Sequence, residues 1–203
     1  QVTAIVAGFD GRAYAAVDGT TYVLNGSTLH TERALPLSFG SLGVIASITA
    51  LPDGGRLIVG TFDVWFGGVR YRNVLRVSAE GLPNPDWRID LDDWWVAPPI
   101  VTARGVVWAG RFTRINGVDR AGLALVSLDN VATVVDWQPN VKVADYSLAY
   151  DGQNSLYFTT RASNLPAIGR LSMTSALVDA DWKILIDAWR EEENWSLGLD
   201  GGG

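Results

Sequence analysis

Leu148-Ala149-Tyr150-Asp151-Gly152 returns as Leu197-Gly198-Leu199-Asp200-Gly201, with Ser147 and Ser196 just ahead of each copy. The same block opens the chain as Ile5-Val6-Ala7-Gly8-Phe9-Asp10-Gly11 and recurs at Ile48-Thr49-Ala50-Leu51-Pro52-Asp53-Gly54. A unit of this length cannot bury its apolar face alone. Recurrence therefore implies a solenoid, a propeller or an array.

Other landmarks keep the same phase. Asp86-Trp87, Asp136-Trp137 and Asp181-Trp182 fall at intervals of 50 and 45. Gly60-Thr61-Phe62 and Gly110-Arg111-Phe112 are 50 apart, and Gly68-Val69 and Gly117-Val118 are 49 apart. Arg56-Leu57-Ile58-Val59-Gly60, Gly105-Val106-Val107-Trp108-Ala109 and Ser155-Leu156-Tyr157-Phe158-Thr159 are short, β-branched or aromatic runs bounded by turn residues, which reads as strand. Asp18-Gly19, Asn25-Gly26, Asp53-Gly54, Asn116-Gly117 and Asp151-Gly152 suit the positive φ of tight hairpins. Helix-like composition is confined to about Ile184 to Asn194, and a solvated loop or short helix is expected there.

Each unit thus reads as strand, Asp-Gly turn, strand, variable loop, strand, turn, and a fourth extended stretch carrying Asp-Trp. The expected fold is all-β: a β-propeller of four-stranded antiparallel blades of about 45–50 residues. Blades are placed at about 1–44, 45–97, 98–143 and 144–193, with 194–203 starting a further one, all in a single domain or fragment. Two explanations of the final Gly201-Gly202-Gly203 stand: an excerpt of a longer propeller, which is preferred, or closure of a small ring by pairing with the first blade.

Gly110-Arg111-Phe112-Thr113-Arg114-Ile115-Asn116-Gly117-Val118, then Arg120 and Leu123-Ala124-Leu125, resembles the delta-60 repeat, also called the DUF5122 β-propeller repeat. Leu51-Pro52-Asp53-Gly54-Gly55-Arg56-Leu57-Ile58-Val59-Gly60-Thr61-Phe62, with Gly68-Val69 and Arg72 to Val77, carries the same likeness. It extends over about residues 45–139, fades in the fourth unit and is weak in the first. Trp stands where that family tends to have Phe after the fourth-strand Asp. The resemblance implies a propeller scaffold of bacterial surface or secreted proteins and some phage structural proteins. It implies no reaction.

A formal charge of −6 over 203 residues argues against a nucleic-acid surface and against docking on anionic lipid. No apolar run approaches the roughly 18 residues of a membrane helix. Cysteine is absent, which removes disulfides, thiolate nucleophiles and Cys-ligated metals. His30 is the sole histidine and has no Gly-x-Ser-x-Gly elbow, so neither a Ser-His-Asp triad nor a multi-His zinc centre is expected. The acids are mostly turn aspartates, and no cofactor is implied. Asp90-x-Asp92-Asp93 offers oxygen ligands but lacks the glycine and distal Glu of an EF-hand, so a solvated turn is expected rather than a cation site.

Trp87, Trp137 and Trp182 repeat in phase and are expected to pack between units, as are Phe62 and Phe112, with Trp108 in the core. The non-repeated aromatics are the candidate contact residues. They are Trp65 and Phe66 in the long loop of the second unit, Trp94 and Trp95 after the Asp90–Asp93 cluster, and Trp189, which with Trp195 flanks Glu191-Glu192-Glu193.

The expected function is a non-enzymatic structural or binding module on an exterior surface, extracellular, on the cell surface or in a virion. A virion or phage-tail component is the most concrete form, with protein partners or self-assembly. The alternatives are a lectin-like glycan-binding module and, further off, a carboxylate-dependent glycoside hydrolase or lyase.

Overall fold

The computed structural model describes residues 2–7, 11–18, 20–39, 44–93, 96–141, 147–162 and 165–185. Among them every strand pairing is antiparallel and no helix occurs. The chain divides into two compact units: Gln1–Asp90 with Leu128–Ala132, and Leu91–Ser127 with Thr133–Gly203.

In the first unit, β1 (Val2–Ala7), β2 (Arg12–Val17), β3 (Thr20–Asn25) and β4 (Thr31–Ser38) form a sheet in chain order, and β5 (Val44–Ala50), β6 (Arg56–Phe66) and β7 (Val69–Val77) form another. Tyr14, Val23, Leu35 and Leu37 from one meet Ile45, Ile48, Ile58 and Leu75 from the other in a common core. In the second unit, β8 (Ile100–Thr102), β9 (Gly105–Ala109) and β12 (Leu123–Val126) pair in the order β12-β9-β8, and β10 (Arg114–Ile115) and β11 (Val118–Asp119) make a small hairpin between them in sequence. There β13 (Leu148–Tyr150), β14 (Ser155–Ala162), β15 (Leu165–Ser172) and β16 (Val178–Leu185) form a four-stranded sheet in chain order. Val107, Leu125, Trp137, Leu156 and Leu171 share that unit's core. β16 takes in Ile184 and Leu185, so the helix-like stretch begins as strand; its remainder lies outside the described residues.

The sheets made of β1–β4 and β13–β16 hold four full strands. The β5-β6-β7 and β12-β9-β8 sheets hold three, and in each the expected fourth is reduced to a single bridge. After β7, Val77 bridges Pro83, and Asn84 N donates to Arg76 O at 2.9 Å. Because the Asn84 N–H faces β7, strand alternation turns the nitrogens of Pro83 and Pro85 to the outer edge, where the lack of an N–H leaves no donor exposed. After β12, Val126 bridges Val134 and Val135 N donates to Leu125 O at 2.9 Å.

The turns explain why the phase persists. At the end of β7, β12 and β15 a serine hydroxyl accepts backbone amides (Ser78 from Glu80 and Leu82, Ser127 from Thr133, Ser172 from Thr174 and Ser175), and at the end of β3 Asn25 Oδ1 does so from Ser27 and Thr28. Asp53 Oδ1 accepts from Gly55 N at 2.8 Å, and Asp151 Oδ1 takes the amides of Gln153, Asn154 and Ser155. Asn116 and Gly117 both have positive φ (48° and 77°), as do Gly67 and Gly68 (57° and 78°), so both hairpins close through two-residue turns of the kind that matches strand twist. At Gly60, opposite Ile45 where the β5–β6 register shifts, a Cβ would lie 2.0 Å from the Val44 carbonyl oxygen.

Arginines fasten the same turns through main-chain carbonyls. Arg33 donates to Ala79 O (2.8 Å) and Glu80 O (3.3 Å), and Arg76 to Leu128 O (2.9 Å) and Asp129 O (3.3 Å). The latter contact ties the 128–132 segment to the first unit. Arg104 donates to the Met173 carbonyl within the second. Arg56, 1% exposed, lies with its guanidinium 3.7 Å from the centre of the Tyr14 ring and donates to Ser78 O and Ala79 O at 3.3 Å each.

Candidate functional site

β6 runs past the end of its pairing with β5. Val44 pairs with Thr61, and beyond that point β7 is the strand paired with β6 among the described residues, in the register Asp63↔Arg72, Val64↔Tyr71, Trp65↔Arg70 and Phe66↔Val69. Trp65 and Phe66 therefore occupy the tip of a two-stranded ribbon, not a long loop. Strand alternation then sends them to opposite faces. Phe66 packs on the core, with its ring 6.2 Å from that of Tyr71 and 6.3 Å from that of Phe39. Trp65 is 65% exposed. Phe66 is thus a packing residue and leaves the candidate contact set; Trp65 stays in it.

Repeat equivalence supports this division. The tip Phe66-Gly67-Gly68-Val69 matches Ile115-Asn116-Gly117-Val118, so Phe66 corresponds to Ile115, which is fully buried, and Trp65 to Arg114, which is exposed. In the second unit Arg114 Nε pairs with Asp119 Oδ1 across its hairpin at 2.9 Å. In the first, Trp65 faces Arg70, and Arg70 reaches Asp63 through Nε (2.8 Å) and Nη2 (2.5 Å). That two-point bond holds the Asp63 carboxyl below its ordinary range and raises Arg70. It also fixes the arginine beside the indole. The outward face of this ribbon carries Thr61, Asp63, Trp65, Arg70 and Arg72, all exposed.

Trp94, Trp95 and Trp189 lie outside the described residues, as does Trp195. The repeated tryptophans are structural. Trp87 and Trp137 are 1% and 2% exposed. Trp182 is half-buried, edge-on to Tyr157 with ring centres 5.1 Å apart, and the Arg170 guanidinium lies 5.4 Å from its centre. The backbone amides of Trp87 and Trp182 are held from three residues upstream by Asn84 Oδ1 and Asp179 Oδ1. Sequence reasoning passed over these two residues. Their shared position two before the Asp-Trp pair was the available signal. Phe62, Trp108 and Phe112 are buried.

Asp92 does not stand ready for a cation. Its Oδ1 accepts the amides of Thr113 (2.8 Å) and Arg114 (3.0 Å), and its Oδ2 accepts the Thr113 hydroxyl at 2.5 Å. The Thr113 hydroxyl, with those amides, holds its carboxyl below the usual range. The aspartate anchors the start of the β10 hairpin. Among the described residues no group of three or more His, Asp or Glu side chains is placed to hold a metal ion. His30 is exposed in the β3–β4 turn, its amide donating to Thr28 Oγ1 at 3.4 Å.

A feature the sequence did not announce is an open groove of about 560 Å³ in the second unit, beside the β10–β11 hairpin. Arg114, Asp119, Arg120, Leu123, Gln138 and Asn140 are among its walls. No protein-family model matches the sequence, and no curated protein does.

Proposed function

We propose that the chain is a non-enzymatic β-propeller module on an exterior surface, a virion or phage-tail component or a bacterial surface protein, that makes protein contacts through the outward face of the β6–β7 ribbon. The single observation that carries the contact is Trp65. A large indole, mostly exposed, sits at the end of a hairpin whose other face is bolted to the core. Exposing that much apolar ring has a cost in water that a partner would relieve, and tryptophan is a frequent interface anchor. The propeller reading is supported by four successive meanders in chain order, one per sequence repeat, each returning a fourth stretch to its third strand. Blades of a propeller are built that way. In this scheme the stacked sheets present the ribbon rigidly and the ribbon makes the contact.

Trp65→Ser tests it through sedimentation velocity over a concentration series. The expected result is concentration-dependent self-association of the parent that the variant weakens by roughly 30-fold, the loss of one tryptophan anchor of about 2 kcal/mol. The thermal midpoint should not move. Equal association of the two proteins would overturn the assignment. The glycan-binding alternative rests on the same ring, which can cover a pyranose face. It is favoured instead if an oligosaccharide array gives binding that Trp65→Ser abolishes.

A further inference from the structure

We propose that the groove beside the β10–β11 hairpin binds a carboxylate-bearing sugar, such as a uronic acid unit of an acidic glycan. This site is independent of Trp65 and of the contact assigned to it.

The groove exists because one repeat departs from another. Val59 pairs with Val74 in the first unit as Ala109 pairs with Leu123 in the second, which places Tyr71 and Arg72 in register with Arg120 and Ala121. Tyr71 is 3% exposed and lies against Phe66, filling its place with a ring. The equivalent Arg120 stands on the wall of an open cleft, and Ala121 beside it is a methyl where the other repeat has a long side chain. A volume of about 560 Å³ falls within the usual range of small-ligand sites.

The charge pattern selects an anion. Arg114 and Asp119 neutralise each other. Arg120 makes no ion pair among the described residues. Its head is held by two backbone carbonyls, Asp119 O through Nη1 at 2.8 Å and Val135 O through Nη2 at 3.1 Å, and its Nε is out of solvent contact without an acceptor. Such an arginine is already oriented, so little rotamer freedom remains to be lost when a carboxylate arrives. The other polar walls suit hydroxyl groups. Gln138 gives its amide nitrogen to Asp136 Oδ1 at 2.7 Å, leaving its carbonyl oxygen as an acceptor, and the Asn140 amide has no partner among the described residues. Leu123 and Pro139 supply apolar contact for the C–H face of a ring.

Amide NMR titration of the whole chain with sodium glucuronate tests this, with glucose and sodium acetate as controls. A ligand of this size at ordinary efficiency gives a dissociation constant of about 1 mM. Saturable shifts at Arg120, Gln138 and Asn140 are expected, with glucose and acetate each at least tenfold weaker. Arg120→Gln should lower glucuronate affinity tenfold or more. Because that change also removes the bond to Val135, Asn140→Ala provides a second test: a loss of roughly 2–10-fold at an unchanged thermal midpoint. Trp65→Ser should bind glucuronate as the parent does. Absence of saturable shifts in the groove, or equal affinity for glucuronate and either control, would overturn the proposal.

Discussion

Arg56 raises a question that mutation can decide: whether its charge or its volume holds the first unit together. It is 1% exposed, and no carboxylate lies within ion-pair distance among the described residues. Glu80 senses its charge from farther off. Replacing Arg56 with Met removes a desolvated cation–ring contact worth about 2 kcal/mol. It also removes two charge-assisted bonds that at 3.3 Å are long, together about 2 kcal/mol. Neither carbonyl is orphaned, because Ser78 O still accepts Gly81 N at 3.0 Å and Ala79 O still accepts Arg33 Nη2 at 2.8 Å. Against these losses stands the release of a buried, unneutralised cation, whose desolvation costs several kcal/mol. The two sides nearly cancel, so Arg56→Met should stay within about 1 kcal/mol of the parent. Arg56→Ala gains the same relief but opens a cavity, and should cost about 3 kcal/mol more, or roughly 6–12 °C in Tm for a chain of this size. Urea unfolding followed by tryptophan fluorescence reads both. If Met is as damaging as Ala, the guanidinium bonds dominate and the reasoning fails.

Three further outcomes follow from the geometry. Gly60→Ala must push the Val44 carbonyl away from a contact of 2.0 Å, breaking the β5–β6 ladder at Ile45; a loss of about 3 kcal/mol or more in urea unfolding is expected, and a tolerated alanine would contradict the close approach. Phe66→Ala should cost about 2–3 kcal/mol in the same assay, from lost burial and two ring contacts, where Trp65→Ser costs little; equal losses would contradict the inward–outward assignment. Asp63, Asp92 and Asp179 are lowered mainly by hydrogen bonds from Arg70, Thr113 and Arg170, while at Asp53 burial is the largest single influence and opposes the shift, and the Arg76 bond, the Gly55 amide and the Arg76 charge together outweigh it. Carboxyls lowered on folding stabilise fully above their unfolded values, about 4, and lose that contribution as pH falls through the folded ones. The thermal midpoint should therefore drop steadily below about pH 4, and a midpoint that rises there would reverse the sign.

Much of this fold is written locally. Asn116-Gly117 and Asp53-Gly54 specify turns through their own backbone preferences, and the in-phase Trp87 and Trp137 mark buried positions. Trp65-Phe66 misled because period-two alternation in Asp63-Val64-Trp65-Phe66 shows only once the strand is known to continue past Gly60. The shortness of the fourth stretch after β7 was not legible from Pro83 and Pro85, since Pro36 lies within the full-length β4. The groove was not legible, since it depends on what Arg120 fails to fill. Nor were the arginine clamps, because a main-chain carbonyl has no letter in the sequence.

That last point bears on how such repeats diverge. Arg33, Arg76 and Arg104 grip oxygen atoms that every residue possesses, so Ala79-Glu80, Leu128-Asp129 and Met173-Thr174 need share no side chain to be fastened alike. Successive copies can drift in composition at these corners while each anchorage survives. Kinship among the copies is then kept in spacing rather than in spelling.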